Sequence, residues 1–164
     1  MKKLSISKIK TLSLNPHFYS LLMQSFLSGY GKPCEPRLAF MSIPILLYSD
    51  SRDKLKNANK ASRIDTLFKS PQFIREVNIS GKTRLSGYME RYDYLIPYCK
   101  DAIIILASEK KLTIEGKNLV LLQKLDYKKY KGIVKEWMKC AFYLGVIFSK
   151  STVDHLSYFL GIEA

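Results

Sequence analysis

Residues 133–148 read IVKEWMKCAFYLGVIF. Ile133, Val134, Trp137, Met138, Ala141, Leu144, Gly145 and Phe148 recur at helical spacing, which makes this the strongest amphipathic helix of the chain. The stretch sets a mainly α fold. Gly145, on the apolar face, predicts a neighbouring backbone that comes close. Downstream, Ser151 or Thr152 is placed to cap a last short helix through Val153, Leu156, Tyr158 and Phe159, with Gly161 as its stop.

Upstream of this helix the pattern changes. Leu112-Thr113-Ile114, Glu115-Gly116-Lys117-Asn118 and Leu119-Val120-Leu121-Leu122 read as a tight β-hairpin. Before it, Leu85, Tyr88, Met89, Tyr92 and Leu95 repeat at three and four, a helix that Pro97 is expected to interrupt; Ala102–Lys110 then resumes as a second helix. Helix, helix and hairpin is the order of a winged helix, so a winged-helix-like segment is expected here. Ile64–Lys69 reads as a short helix, and Phe73, Ile74 and Val77 as another.

At the other end, residues 1–14 alternate weakly and carry lysines, as an extended arm or short strand would. Asn15 and Pro16 form a helix start, followed by Phe18, Leu21, Leu22, Ser25 and Phe26 on one face and by Gly29 and Gly31 as the end. Leu38–Leu47 is apolar nearly all round, with Pro44 expected to kink or divide it. Residues 49–63 are polar and basic and read as a loop between lobes. The expected organisation is an N-terminal arm and helical hairpin over 1–48, a basic loop over 49–63, and a helical, winged-helix-like lobe over 64–164 packed on the first helices.

The chain of 164 residues is 47% hydrophobic, which suffices for a core, and carries 27 Lys and Arg against 14 Asp and Glu. The net charge of +13 favours polyanionic or acidic partners, double-stranded DNA first and an acidic protein surface second. An AT-biased coding sequence also gives Lys-rich chains. Cys34, Cys99 and Cys140 are odd in number and show no CxxC pair, which argues against a disulfide framework or zinc site. No signal peptide or membrane-length apolar run is read, so the expectation is a cytoplasmic, soluble chain without a membrane role.

Catalytic motifs are weak. Gly81-Lys82-Thr83 resembles the end of a phosphate loop, but the pattern needs glycine where Glu76 stands. Asp101, Glu115 and Lys117 have the spacing of a metal-dependent nuclease, yet Glu115–Lys117 falls in the hairpin turn rather than a central strand. His17 and His155 sit near helix starts and read as capping or surface residues. The expectation is a non-enzyme with no cofactor, metal or small-molecule substrate. Lys110, Lys111, Lys117 and Lys124 around the hairpin, Lys128, Lys129 and Lys131 after it, and Lys54 and Lys56 in the basic loop are the candidate phosphate contacts.

Several segments together resemble a family. Asn15-Pro16-His17-Phe18, Phe26 and Gly29-Tyr30 look like its opening helix; Leu38–Leu47 with Pro44, followed by Arg52, is similar to its apolar segment and next arginine. Ala141-Phe142-Tyr143-Leu144-Gly145-x-x-Phe148, Ser151-Thr152-Val153 and Leu160-Gly161-Ile162 resemble its last helices. Val146 departs from it, where the family usually has Arg or Lys. The family is the middle component of bacterial three-component ABC-ATPase systems, which include the accessory subunit of Lamassu-type defence systems. The resemblance covers both ends and is thin over 50–130.

The resemblance implies a subunit of an anti-phage or anti-plasmid complex, sitting near the heads of an SMC-like ABC ATPase and holding an effector subunit, often a nuclease. Phe18, Phe26, Tyr30, Trp137 and Phe148 are the candidate partner interface, and such a subunit is expected to expose part of that face when alone. The all-round apolar 38–47 segment leads to the expectation that the isolated chain behaves poorly. A free-standing winged-helix DNA-binding regulator is the main alternative, and a small metal-dependent nuclease a weaker one.

Overall fold

The computed structural model describes residues 15–69, 72–74, 77–79 and 87–162. The expected arm at 1–14 and the Gly81-Lys82-Thr83 segment with Glu76 lie outside them. In chain order the elements are α1 (Pro16–Tyr30), α2 (Pro36–Leu47), α3 (Ser49–Leu55), α4 (Ile64–Lys69), β1 (Gln72–Ile74), β2 (Val77–Ile79), α5 (Tyr88–Ser108), β3 (Leu112–Glu115), β4 (Asn118–Leu121), a 3-10 turn (Tyr127–Lys129), α6 (Gly132–Phe148) and α7 (Val153–Leu160). The fold is mainly α with small antiparallel hairpins, β1 with β2 and β3 with β4. No helix among the described residues is long and apolar enough to cross a membrane.

The central packing is α1 on α6. Phe18 meets Trp137 edge-on at 5.4 Å near the start of both helices, and Phe26 meets Phe148 at 5.4 Å further along, so the two run in the same sense. Glycines let the backbones touch. A Cβ on Gly29 would lie 1.9 Å from the Phe142 carbonyl oxygen, and one on Gly145 2.0 Å from that of Phe26. Gly29 therefore lies inside α1 as a packing residue, and Gly31, at φ 73°, ends the helix. The buried Ser25 hydroxyl donates to the Met138 carbonyl at 2.6 Å and fixes the register.

Local start signals hold. The Asn15 side chain accepts the His17 N–H, and the Thr152 hydroxyl accepts the His155 N–H at 3.1 Å, so both histidines sit in capped first turns. Gly161, at φ 72°, stops α7. The β3–β4 loop is Gly116-Lys117 with Gly116 at φ 61°, the glycine-first form of a two-residue turn.

Four expectations need correction. Pro44 does not divide α2, and Pro97 does not divide α5. Pro97 faces solvent, where water reaches the carbonyl that loses its donor. Pro44 is buried; its missing N–H removes the helix donor of the Phe40 carbonyl, and on the next residue the Tyr88 hydroxyl donates at 2.7 Å to the Met41 carbonyl, tying α2 to α5. One helix rather than two thus precedes the β3–β4 hairpin. The basic stretch 49–63 opens with helix α3, which buries Ser51 and Leu55. Phe73, Ile74 and Val77 lie in strands, in keeping with their aromatic and β-branched character. The apolar 38–47 segment, whose all-round apolar character predicts burial on most sides or between subunits, is buried within the chain: Leu38, Met41, Ile43, Ile45 and Leu46 are all buried, and α2 packs on α5, α1 and α6.

The C-terminal end of α2 is closed by α3. The Ser51 hydroxyl donates to the Ile45 carbonyl at 2.6 Å, and the Arg52 guanidinium to that of Leu46 at 2.9 Å. The same guanidinium lies over the Trp137 ring, 3.8 Å from its centroid. Arg52, singled out by the family resemblance, thus joins α2, α3 and α6.

Candidate nucleic-acid interface

The loop from Gln123 to Lys131 links β4 to α6, and buried polar groups of α1 set its path. The Gln24 amide donates to the Gln123 carbonyl at 3.0 Å, and the Leu125 N–H donates to the Ser28 hydroxyl at 2.9 Å. Lys124 stands between these two anchors. The Asp126 carboxylate accepts the Lys128 N–H at 2.9 Å and starts the 3-10 turn. Leu119 and Cys34 exchange backbone hydrogen bonds at 3.0 and 2.7 Å, which ties the edge of β4 to the α1–α2 connection.

Two clefts adjoin along this loop. The first, about 410 Å³, is lined by Ser28, Lys60, Lys124 and Lys128 together with Tyr127, Phe142 and Tyr143. The second, about 230 Å³, is lined by Gln24, Lys111, Lys124, Lys129 and Tyr130 among others. Lys124, Leu125 and Asp126 belong to both. The aromatic wall is continuous: Tyr127 lies 5.4 Å from Phe142 and 6.3 Å from Tyr143. A hydrogen bond to Tyr143, then burial, pushes the Tyr127 hydroxyl up to about 12, so it stays a neutral donor. Lys150 donates to the Lys60 and Ser62 carbonyls and so fixes the approach of Lys60.

The structure thus brings Lys111, Lys124, Lys128 and Lys129 to one groove and adds Lys60. Lys111 is held by Glu109 at 2.7 Å, an ion pair that competes with an outside anion. Lys110 ends α5 in the left-handed region at φ 58°, and Lys117 is the exposed hairpin tip. Lys131 is the N-cap residue of α6. Lys54 and Lys56 lie apart on α3 and its cap; Lys56 bonds Asp53 at 3.0 Å, which raises its pKa. The aromatic wall was missed from sequence, although the interleaved Tyr127-Lys128-Lys129-Tyr130 carries its signal.

The candidate partner residues divide. Phe26 and Phe148 are fully buried and Tyr30 is buried, so the α1–α6 contact absorbs them and none forms an exposed face. Phe18 and Trp137 are half-buried. Phe18 and Leu21 line an apolar cleft of about 410 Å³ with Asn15 and His17. Ile133 and Val134, assigned from sequence to the buried face, are 69% and 38% exposed. They lie one turn before Trp137 on its side of α6 and extend the apolar surface that begins at Phe18.

Other candidate chemistry is dispersed. Asp101 lies mid-helix on α5, Glu115 ends β3, and Lys117 forms the turn; all three are exposed. His155 faces Asp65 at 3.3 Å. Cys34, Cys99 and Cys140 are buried free thiols. Burial pushes the first two up to about 12 and the third to about 11, away from thiolate chemistry at neutral pH.

Fold and surfaces define a small, strongly basic, mainly helical protein with a lysine–aromatic groove and an apolar patch. A family model matches residues 4–164, and the chain belongs to that family, ABC-three component (ABC-3C) system Middle Component 3. A component of such a system has protein partners. No curated protein and no solved structure matches the chain.

Proposed function

We propose that this chain is a non-catalytic accessory subunit of an SMC-like ABC-ATPase complex that defends against phage and plasmids, of the Lamassu type. It bridges the ATPase heads and an effector, a nuclease, in the cytoplasm, with its lysine groove turned to DNA. The observation that carries this reading is family membership over nearly the whole chain. Two surface features support it. The Phe18, Leu21, Ile133 and Val134 surface offers apolar area to a protein partner, and the groove offers lysines to phosphates.

The test is co-expression with the proteins encoded beside it. The chain is expected to co-purify with the ATPase, and Ile133→Glu is expected to break that association while leaving the fold intact. A chain that purifies as a homodimer, binds duplex DNA alone and ignores its gene neighbours would instead be the free-standing regulator. Turnover of DNA by the chain alone would end the non-catalytic reading.

A further inference from the structure

We propose that the groove along residues 123–130 binds single-stranded nucleic acid, with unpaired bases against its aromatic rings and phosphates at its lysines. The inference deepens the proposed function and rests on its reading that the basic groove meets nucleic acid.

The argument begins with the wall. Tyr127, Phe142 and Tyr143 line the larger cleft, and Tyr130 lines the adjoining one, one short turn along the chain. Rings in a cleft can stack only on bases whose faces are open. In a duplex those faces are covered by neighbouring pairs, whereas an unpaired strand presents them. Lys60 and Lys128 line the first cleft with its three rings, Lys129 and Lys111 line the second with Tyr130, and Lys124 lines both. Rings and lysines line both clefts, and the two share Lys124, Leu125 and Asp126; that combination fits a strand that carries both bases and phosphates.

The groove is also preformed. Gln24 and Ser28, both buried, hold the backbone on either side of Lys124, and Lys150 fixes the backbone at Lys60. A ligand therefore has little loop to order. The acid in the groove, Asp126, is engaged with the Lys128 N–H. Lys60, Lys124 and Lys128 form no ion pair with a carboxylate among the described residues. An acidic peptide would satisfy the lysines but leave the rings unused, and a free mononucleotide would fill only one cleft.

The test uses the full chain and labelled oligo(dT) and oligo(rU) of about 20 nucleotides, a length that spans several base sites. The measurement is fluorescence anisotropy against a duplex of the same length, with poly-glutamate and a nucleoside monophosphate as competitors. The expected result is tighter binding of a single strand than of the duplex, with the dT and rU arms telling DNA from RNA. Tyr143→Leu is expected to weaken binding about tenfold while Tyr143→Phe keeps it, since stacking on one ring is worth about that factor. Lys124→Gln with Lys128→Gln is expected to weaken binding and flatten its salt dependence. Thermal melts confirm that each variant folds.

Equal affinity for strand and duplex, with Tyr143→Leu unchanged, would overturn the proposal. So would displacement by poly-glutamate at matched charge, or monophosphate binding in place of the strand. A chain that co-purifies with the ATPase yet fails these tests loses only this inference. A chain that binds the strand but has no neighbouring partner loses the proposed function instead.

Discussion

Gly145 of α6 lies so close to Phe26 of α1 that an added Cβ would stand 2.0 Å from the Phe26 carbonyl oxygen and 2.8 Å from the Tyr30 nitrogen. Both obstacles are backbone, which has no rotamer with which to yield. Gly145→Ala must therefore push the two helices apart along the principal contact of the fold. Its expected cost is about 3 kcal/mol or more, the upper range of overpacking. Gly116→Ala is the comparison: its Cβ meets nothing within 4 Å, and only the positive φ resists it, at about 1–2 kcal/mol. Urea titrations of both variants check this, and a similar midpoint shift for the two would refute the close contact.

The bond from Tyr88 to the Met41 carbonyl leads to a second prediction. Tyr88 is buried, and desolvation holds its hydroxyl well above its usual value of 10. Burial likewise raises Cys34 and Cys99 to about 12 from 9. Raised acids hold their protons in the folded chain after the unfolded chain has begun to release them. Their contribution is thus complete below pH 9 and is lost as pH rises through the folded values. Stability should fall from about pH 9 upward, thiols first and tyrosines later. Tyr88→Phe should remove part of the alkaline slope and, at neutral pH, lower stability by about 0.5–1.5 kcal/mol because the hydrogen bond to the Met41 carbonyl is lost. Denaturation midpoints measured across alkaline pH test both parts.

Arg52 and Trp137 supply a third. The guanidinium caps the end of α2 and covers one face of the indole, while Phe18 meets the ring edge-on. Trp137 is only half-buried, so Trp137→Ala should cost less than the ~3–5 kcal/mol of a fully buried aromatic. Arg52→Lys should not rescue Arg52→Ala, because an ammonium cannot both fork to carbonyls and lie flat on a ring. A double-mutant cycle is expected to give a coupling of about 0.5–2 kcal/mol, and additive single costs would show that the stacking carries no energy.

What could be read from the sequence follows the range of the interactions. The cap at Asn15, the stop at Gly161 and the close approach at Gly145 each depend on a few adjacent residues or one helical face, and all are seen. Pro44 and Pro97 are read as breaks because the sequence does not show what surrounds the prolines: a packed neighbour, Tyr88 bonded to the Met41 carbonyl, in one case and solvent in the other. Phe26 and Phe148 read as a face for partners in the sequence because an apolar stripe looks alike whether another subunit or the chain's own helix covers it. The groove joins Lys60, Lys124 and Tyr143, which lie far apart in sequence, so only its Tyr127-Lys128-Lys129-Tyr130 segment was locally visible.

Lys110 separates backbone strain from charge. It follows α5 at φ 58°, a left-handed conformation that glycine adopts without cost, and Lys111 donates back to the Leu106 carbonyl at 2.9 Å in the pattern of a helix end. Lys110→Gly should therefore stabilise the fold by about 0.5–1 kcal/mol, seen as a melting temperature about 1–4 °C higher. Lys110→Gln removes the same charge and keeps the strain, so its melting temperature should not rise. If Lys110 also meets a phosphate, the two variants should weaken nucleic-acid binding equally, because the loss is one cation in each. A gain in stability from Lys110→Gln as large as from Lys110→Gly would mean that relieved charge repulsion, not relieved backbone strain, explains the effect.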